Sequence, residues 1–380
     1  MRQIIATLAV FSLSVGCTPS PSVSTATPTT RPTTDASTSP ITRPLEVPST
    51  VPVILFHDPA NADQVDGVTW DGGTSGRVAA TGGKRGFVPD PAGIFYAALF
   101  NRALYDRSGQ LADPNPFAGL QDFGTWADDG RHYCQLDSPP PGTLVLGAVG
   151  EQPRNVAQFS LADHPPVVAA CSVERDQALF LGDNVGHPAL LWVSLSSGRV
   201  VRTRSYPQVP EGPEKYSCPY GSVVPSRDGQ YFAEVCSEYV ADQWVGKSTV
   251  YGADGSILAH VAGNIMSFSW DSSLAVVYNG VSPPSVVRWR DGQVVWRAPD
   301  GVVLWNALPE PGGTHVAVAV LNGIGQSFER GTYHGWPMGL PPEDLYVVGP
   351  DGQAVQLLTM TSVAFPVCPR PNADAGYGSC

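Results

Sequence analysis

The feature that most constrains this chain is a weak internal repeat. Six times an apolar or aromatic run leads into a turn and a second apolar run follows. The units are FVPDPAGIFYAALF from Phe87, FGTWADDGRHYCQL from Phe123, VVAACSVERDQALFL from Val167, SVVPSRDGQYFAEVC from Ser222, MSFSWDSSLAVVY from Met266 and LWNALPEPGGTHVAVAVL from Leu304. Their turn centres fall near Gly93, Gly130, Gln177, Gly229, Ser272 and Gly313, at spacings of 37, 47, 52, 43 and 41 residues. A second hairpin follows each unit, starting at Leu104, Val145, Leu190, Val250, Val286 and Leu345. Two hairpins make a four-stranded antiparallel sheet, and a period near 40 to 50 residues is that of a propeller blade. The 40 glycines and 37 prolines suit many short strands joined by turns and work against long helices. Near-even spacing along the chain also argues against two separate β-sandwiches.

The expected fold is therefore all-β, a propeller of four-stranded antiparallel blades. Six blades are countable. A closing element that could form a seventh would draw on Val51–Phe56, the stretch around Val68, and Ser362–Val367. Pairing an early strand with a late one would close the ring and remove open edges. SRDGQYFAEV and the final LYVVGPDGQAVQLLT resemble the repeat of TolB-like and related WD-repeat-like propellers, over roughly Val51 to Pro366. Ser226–Gly229 and Asp128–Gly130 stay closest to that family's turn. The unit at Gln177 lacks the glycine, and Leu308–Gly313 lacks the aspartate.

The front of the chain reads as an address. Arg2 precedes an apolar run from Ile4 to Val15, too short to span a bilayer as a mature helix. The ending SVGC resembles the bacterial lipoprotein lipobox, with Ser14 where that family prefers leucine. The resemblance implies a signal peptide over residues 1–17, lipid attachment at Cys17, and an extracytoplasmic, membrane-anchored protein of the cell envelope. Residues 18–50 hold 7 Pro, 6 Ser and 10 Thr with little to bury, so they read as a disordered tether. Residues 51–380 are expected to form the propeller domain.

Removing Cys17 from the seven cysteines leaves six, an even number that fits disulfides in an exported chain. Cys218 and Cys236 are equidistant from Arg227, beside the Asp228–Gly229 turn, so a hairpin there would bring them together. Cys368 and Cys380 share a Pro/Gly-rich tail and could close a small loop. Cys134 and Cys171 would pair by default.

No motif of catalysis stands out: GxSxG, HExxH and a phosphate loop are all absent. Cysteines and histidines are scattered, so no metal and no cofactor is expected. The Asp–Gly pairs fit hairpin turns better than calcium ligands. His132 and His315 fit structural roles. Trp126 and Trp270 hold matching places before two turns and are expected to pack between blades, as are Trp289, Trp296 and Trp305. A formal net charge of −12 with three lysines leaves no basic surface for nucleic acid. Two loops could present aromatics to a partner: one carries Tyr206, Tyr216 and Tyr220, the other Phe328, Tyr333, His334 and Trp336. The expected role is a binding module for a protein, peptide or glycan of the envelope. The alternative is a propeller enzyme of hydrolase, lyase or dehydrogenase type, with a site assembled from several blades.

Overall fold

The structure is a computed structural model. It describes residues 43–58, 61–80, 87–90, 92–98, 103–112, 125–137, 142–159, 167–183, 188–205, 216–217, 223–240, 243–279, 282–321 and 343–361. These form 27 strands in seven sheets, with no helix among the described residues.

The first sheet holds β1 (Val53–Asp58), β2 (Asn61–Thr69) and β3 (Ser75–Ala80). The second holds β4 (Phe87–Pro89), β5 (Phe95–Ala98) and β6 (Ala103–Asp106). The third holds β7 (Thr125–Trp126), β8 (His132–Asp137), β9 (Gly142–Ala148) and β10 (Arg154–Phe159). The fourth holds β11 (Val167–Ser172), β12 (Gln177–Asp183), β13 (Pro188–Ser194) and β14 (Val200–Ser205). In the fifth, β15 (Tyr216–Ser217) and β16 (Val223–Pro225) both pair with β17 (Tyr231–Val240), followed by β18 (Gln243–Gly252) and β19 (Ile257–Ala262). The sixth holds β20 (Asn264–Phe268), β21 (Ala275–Tyr278), β22 (Ser285–Arg288) and β23 (Gln293–Arg297). The seventh holds β24 (Val303–Pro309), β25 (Val316–Leu321), β26 (Glu343–Val348) and β27 (Ala354–Thr361). Strand order follows the chain within each sheet, and every pairing in the sheets is antiparallel.

The core shows how the sheets are arranged. Leu104 of the second sheet packs on Trp126, Tyr133 and Val145 of the third. The third meets the fourth through Leu136, Leu144, Val168 and Phe180. Trp192 joins the fourth to Phe232 and Tyr251 of the fifth. Val250 and Val261 join the fifth to Phe268 and Trp289 of the sixth, and Val276 and Trp296 join the sixth to Val316 and Val318 of the seventh. Ile54, Phe56 and Val68 of the first sheet then pack on Ala317, Ala319 and Leu345 of the seventh. Val53, Leu55 and Val65, on the first sheet's other side, meet Tyr105 of the second. Each sheet is thus buried between two others, and the sequence of contacts returns to its start. This is a β-propeller, held by apolar surface removed from water at every contact between sheets.

The last strands are the exposed ones. Val200 and Val201 on β14, Ile257 and Leu258 on β19, Val294 on β23 and Val355 on β27 all face solvent. In the third to seventh sheets the pairing of the last two strands slips by one residue, at Asn155/Ala157, Trp192/Val193, Val250/Tyr251, Val286/Val287 and Leu345/Tyr346. Such bulges twist an edge strand and blunt it as a template for pairing.

Two expectations change. The first sheet contains Val51–Phe56 and the stretch around Val68 as foreseen, but the strand beside β2 is β3, a segment the repeat did not show; residues 362–367 lie outside the described residues. The packed region also begins before residue 51. Arg77 N–H donates to the Arg43 carbonyl, Leu45 N–H donates to the Arg77 carbonyl, and Leu45 and Val47 pack on the first sheet. Two apolar residues beside an open strand edge outweigh the polar composition around them. Arg107 further ties the segment down, donating to the carbonyls of Pro48 and Val51.

Candidate functional site

The turns between the first two strands of the sheets share one hydrogen-bond frame. In the fifth sheet Ser226 Oγ donates to Asp228 and accepts the Tyr231 N–H at 2.9 Å, while Gly229 N–H returns to the Ser226 carbonyl. In the sixth, Ser269 does the same with Asp271, Leu274 N–H and Ser272 N–H. In the second, Asp90 replaces the serine and accepts the Phe95 N–H at 2.7 Å. In the seventh, Glu310 accepts the His315 N–H at 3.3 Å. Serine, aspartate and glutamate thus do one job, satisfying a backbone donor that the turn would otherwise strand.

The frame leaves free the residue after its first member. In the fifth sheet this is Arg227, in the sixth Trp270, in the third Asp128. These three come together. Arg227 Nη2 donates to the Ala127 carbonyl at 3.0 Å, reaching past the fourth sheet to the third. Its guanidinium lies 5.1 Å from the Trp270 ring centre. Asp128, Asp129 and Asp90 all act on its charge. The turn ends of the third, fifth and sixth sheets therefore meet at Arg227, with the fourth sheet's Ala170 beside Gly229. Arg227 is half-buried among these turns and still reached by solvent. Enclosure makes the cation costly and pushes its pKa down to about 10.

The carboxylates around it are spent elsewhere. Asp128 accepts Ser172 Oγ and the Val173 N–H at 2.9 Å. Asp129 accepts the N–H groups of Arg131 and His132 and pairs with the His132 ring. Asp90 accepts the Ala92 and Phe95 N–H groups and is 2% exposed; burial pushes its pKa up to about 6. Asp228 accepts the Gln230 N–H and pairs with Arg175 of the fourth sheet at 3.4 Å. Among the described residues, none forms an ion pair with Arg227, and its Nε–H is buried without an acceptor.

The disulfide between Cys134 and Cys171 joins β8 to β11 directly behind the Asp128 turn. Asp128 N–H donates to the Cys171 carbonyl at 3.1 Å, so the third and fourth sheets are fixed to each other beside the turn that Arg227 reaches. Cys236 is also disulfide-bonded, its partner outside the described residues. The Ser226–Tyr231 hairpin forms, and Ser217 pairs with Ser237 beside Cys236. Cys17, Cys218, Cys368 and Cys380 lie outside the described residues, as do Tyr206, Tyr220, Phe328, Tyr333, His334 and Trp336. Tyr216 is placed in β15 by its backbone alone.

Trp289 and Trp296 are buried as expected. Trp126 and Trp270 part company: Trp126 packs between sheets, whereas Trp270 carries Arg227 on its face. Sequence reasoning missed Arg227 and Asp128 as site residues. The signal was the variable place inside a repeated turn, where side chains are spared from the frame. Among the described residues no group of three or more His, Cys, Asp or Glu could hold a metal ion.

No family model and no curated protein matches the sequence. Solved structures are similar at low identity. TolB from Agrobacterium tumefaciens aligns at 13% identity over 64% of this chain and 82% of its own, with a TM-score of 0.38. Kuenenia stuttgartiensis hydrazine synthase aligns at 14% over 74% and 98%, with a TM-score of 0.41. An oligogalacturonate lyase in complex with manganese aligns at 10% over 84% and 75%, also at 0.41.

Proposed function

We propose that this chain is an extracytoplasmic binding module, a propeller of seven blades held to a membrane by lipid on Cys17. It engages a protein, peptide or glycan of the cell envelope on the face where the turns converge. One observation carries the reading: Arg227, Trp270 and Asp128, from three separate sheets, meet at residues that the turn frame leaves unused. Side chains not needed to close a turn, on a rigid scaffold, are where recognition is built. The disulfides of Cys134, Cys171 and Cys236 fit an oxidising compartment.

The test is site-specific photocrosslinking of the full-length protein in its own envelope. A benzoylphenylalanine replacing Gln230 reports the turn face; one replacing Ile257, which is 58% exposed on β19, reports the rim. A defined adduct from position 230 and none from 257 is the expected result. Adducts from the rim alone would overturn the reading. In the same cells, Cys17→Ala should release the protein from the membrane fraction; retention would sink the lipid anchor.

A further inference from the structure

We infer that the turn face binds a carboxylate, with Arg227 as its counter-charge and Trp270 as the wall beside it. The inference rests on the turn face being the binding surface and names what that surface recognises.

Arg227 has five N–H donors, and among the described residues one bond to a protein acceptor is made, from Nη2 to the Ala127 carbonyl. A guanidinium enclosed by protein normally sits against a carboxylate, because an unpaired enclosed charge is costly. Here the charges of Asp128, Asp129 and Asp90 act on it, with Asp228 next in sequence, and each gives its oxygens to other donors. Asp128 is held by Ser172 and Val173, Asp129 by Arg131 and His132, Asp90 by Ala92 and Phe95, and Asp228 by Ser226, Gln230 and Arg175. They lower the potential around the cation without occupying its donors. An acceptor arriving from solvent would take the Nη donors left over, and a carboxylate is the group that pairs with a guanidinium in this way. The surrounding negative charge sets a limit: it disfavours a doubly charged phosphate more than a singly charged acid. The guanidinium already lies over the Trp270 ring, 5.1 Å from its centre, and the ring offers an apolar surface for the rest of the ligand.

The carboxylate could end a peptide or belong to a small non-peptide acid, so the probes are N-acetyl-dialanine with a free terminus, its terminal amide, and gluconate. Binding is read on the intact protein by the ¹⁵N resonances of the arginine side chains and by calorimetry. The expected result is that one or both acids bind, move the Arg227 Nε–H signal and bind Arg227→Gln at least about tenfold more weakly, as loss of a charge-assisted pair implies. The amide should bind neither form. Response to the dipeptide alone assigns a peptide terminus; response to both assigns any small carboxylate. Equal binding of acid and amide, or no response to either acid at millimolar concentration, would overturn the inference. Should Arg227→Gln fail to fold, the wild-type Nε–H shift and the acid-against-amide comparison still decide it. A crosslink at position 230 with no carboxylate preference removes this inference and leaves the turn-face reading standing.

Discussion

The contact between the third and fourth sheets and that between the sixth and seventh are built on one plan and held differently. Both bury aliphatic side chains from facing strands. The sixth and seventh rely on valines, with Val276, Val286, Val316, Val318, Val320 and Val348 in one cluster. The third and fourth add the Cys134–Cys171 disulfide, the Thr125 hydroxyl bonded to the Val168 carbonyl at 2.9 Å, and the Asp128 contacts to Ser172 and Val173. The polar and covalent ties concentrate where the chain also receives the Arg227 side chain. Apolar packing suffices to make a blade contact; locating a side chain needs directional bonds as well.

Removing the covalent tie should give the largest effect. Paired Cys134→Ala and Cys171→Ala substitutions open a loop of sequence separation 37 and should cost about 4 kcal/mol in urea unfolding. If the loss is no greater than that of a single valine truncation at the other contact, the difference between the two contacts is only one of composition.

The second test concerns Asp90, whose folded pKa is raised from 3.8 to about 6 by burial. A raised acid binds its proton more tightly when folded. Its contribution is therefore full below about pH 4 and is lost as pH rises through 6, by up to about 3 kcal/mol. Asp90→Asn should flatten that part of the stability profile between pH 4 and 7. A wild-type profile with no fall over this range would contradict it.

Third, Val318→Ala in the sixth–seventh contact should cost about 2 kcal/mol through lost burial and the cavity left behind. It should leave the Arg227 side-chain resonances in place, whereas Asp128→Ala should move them. The smallest effect is expected at Ser226. Ser226→Ala strands the Tyr231 N–H and should lower stability by about 1 kcal/mol, with midpoints measured in the same urea series.

Much of the fold was legible because strand and turn leave a local trace. Ser226-Arg-Asp-Gly could be read directly, and its spacing from the other turns carried the architecture. What stayed hidden was substitution inside the frame. Asp90 and Glu310 fill the place of Ser226 with different chemistry, and Asp176 and Ser272 take the positive backbone angle, at φ 54° and 57°, that glycine supplies elsewhere. The seventh sheet's turn therefore looked like a lost motif although its hydrogen bonds are intact. The first sheet was partly visible in Val51–Phe56, but β3, with its glycine and arginine, carries only the short apolar stretch Val78–Ala80. The site was the least legible part. Arg227 and Asp128 are 99 residues apart in sequence, and only the closing of the ring makes them neighbours.

The entry of the chain onto β3 has a consequence for access. Leu45 lies so close over Gly76 that a Cβ there would strike its backbone, which pins the segment to the exposed edge of the first sheet. The described chain thus enters along the edge strand of a sheet and not through the turns that meet at Arg227. On the proposal that Cys17 carries lipid, the point of attachment to the fold is therefore a sheet edge, separate from the turns proposed to bind.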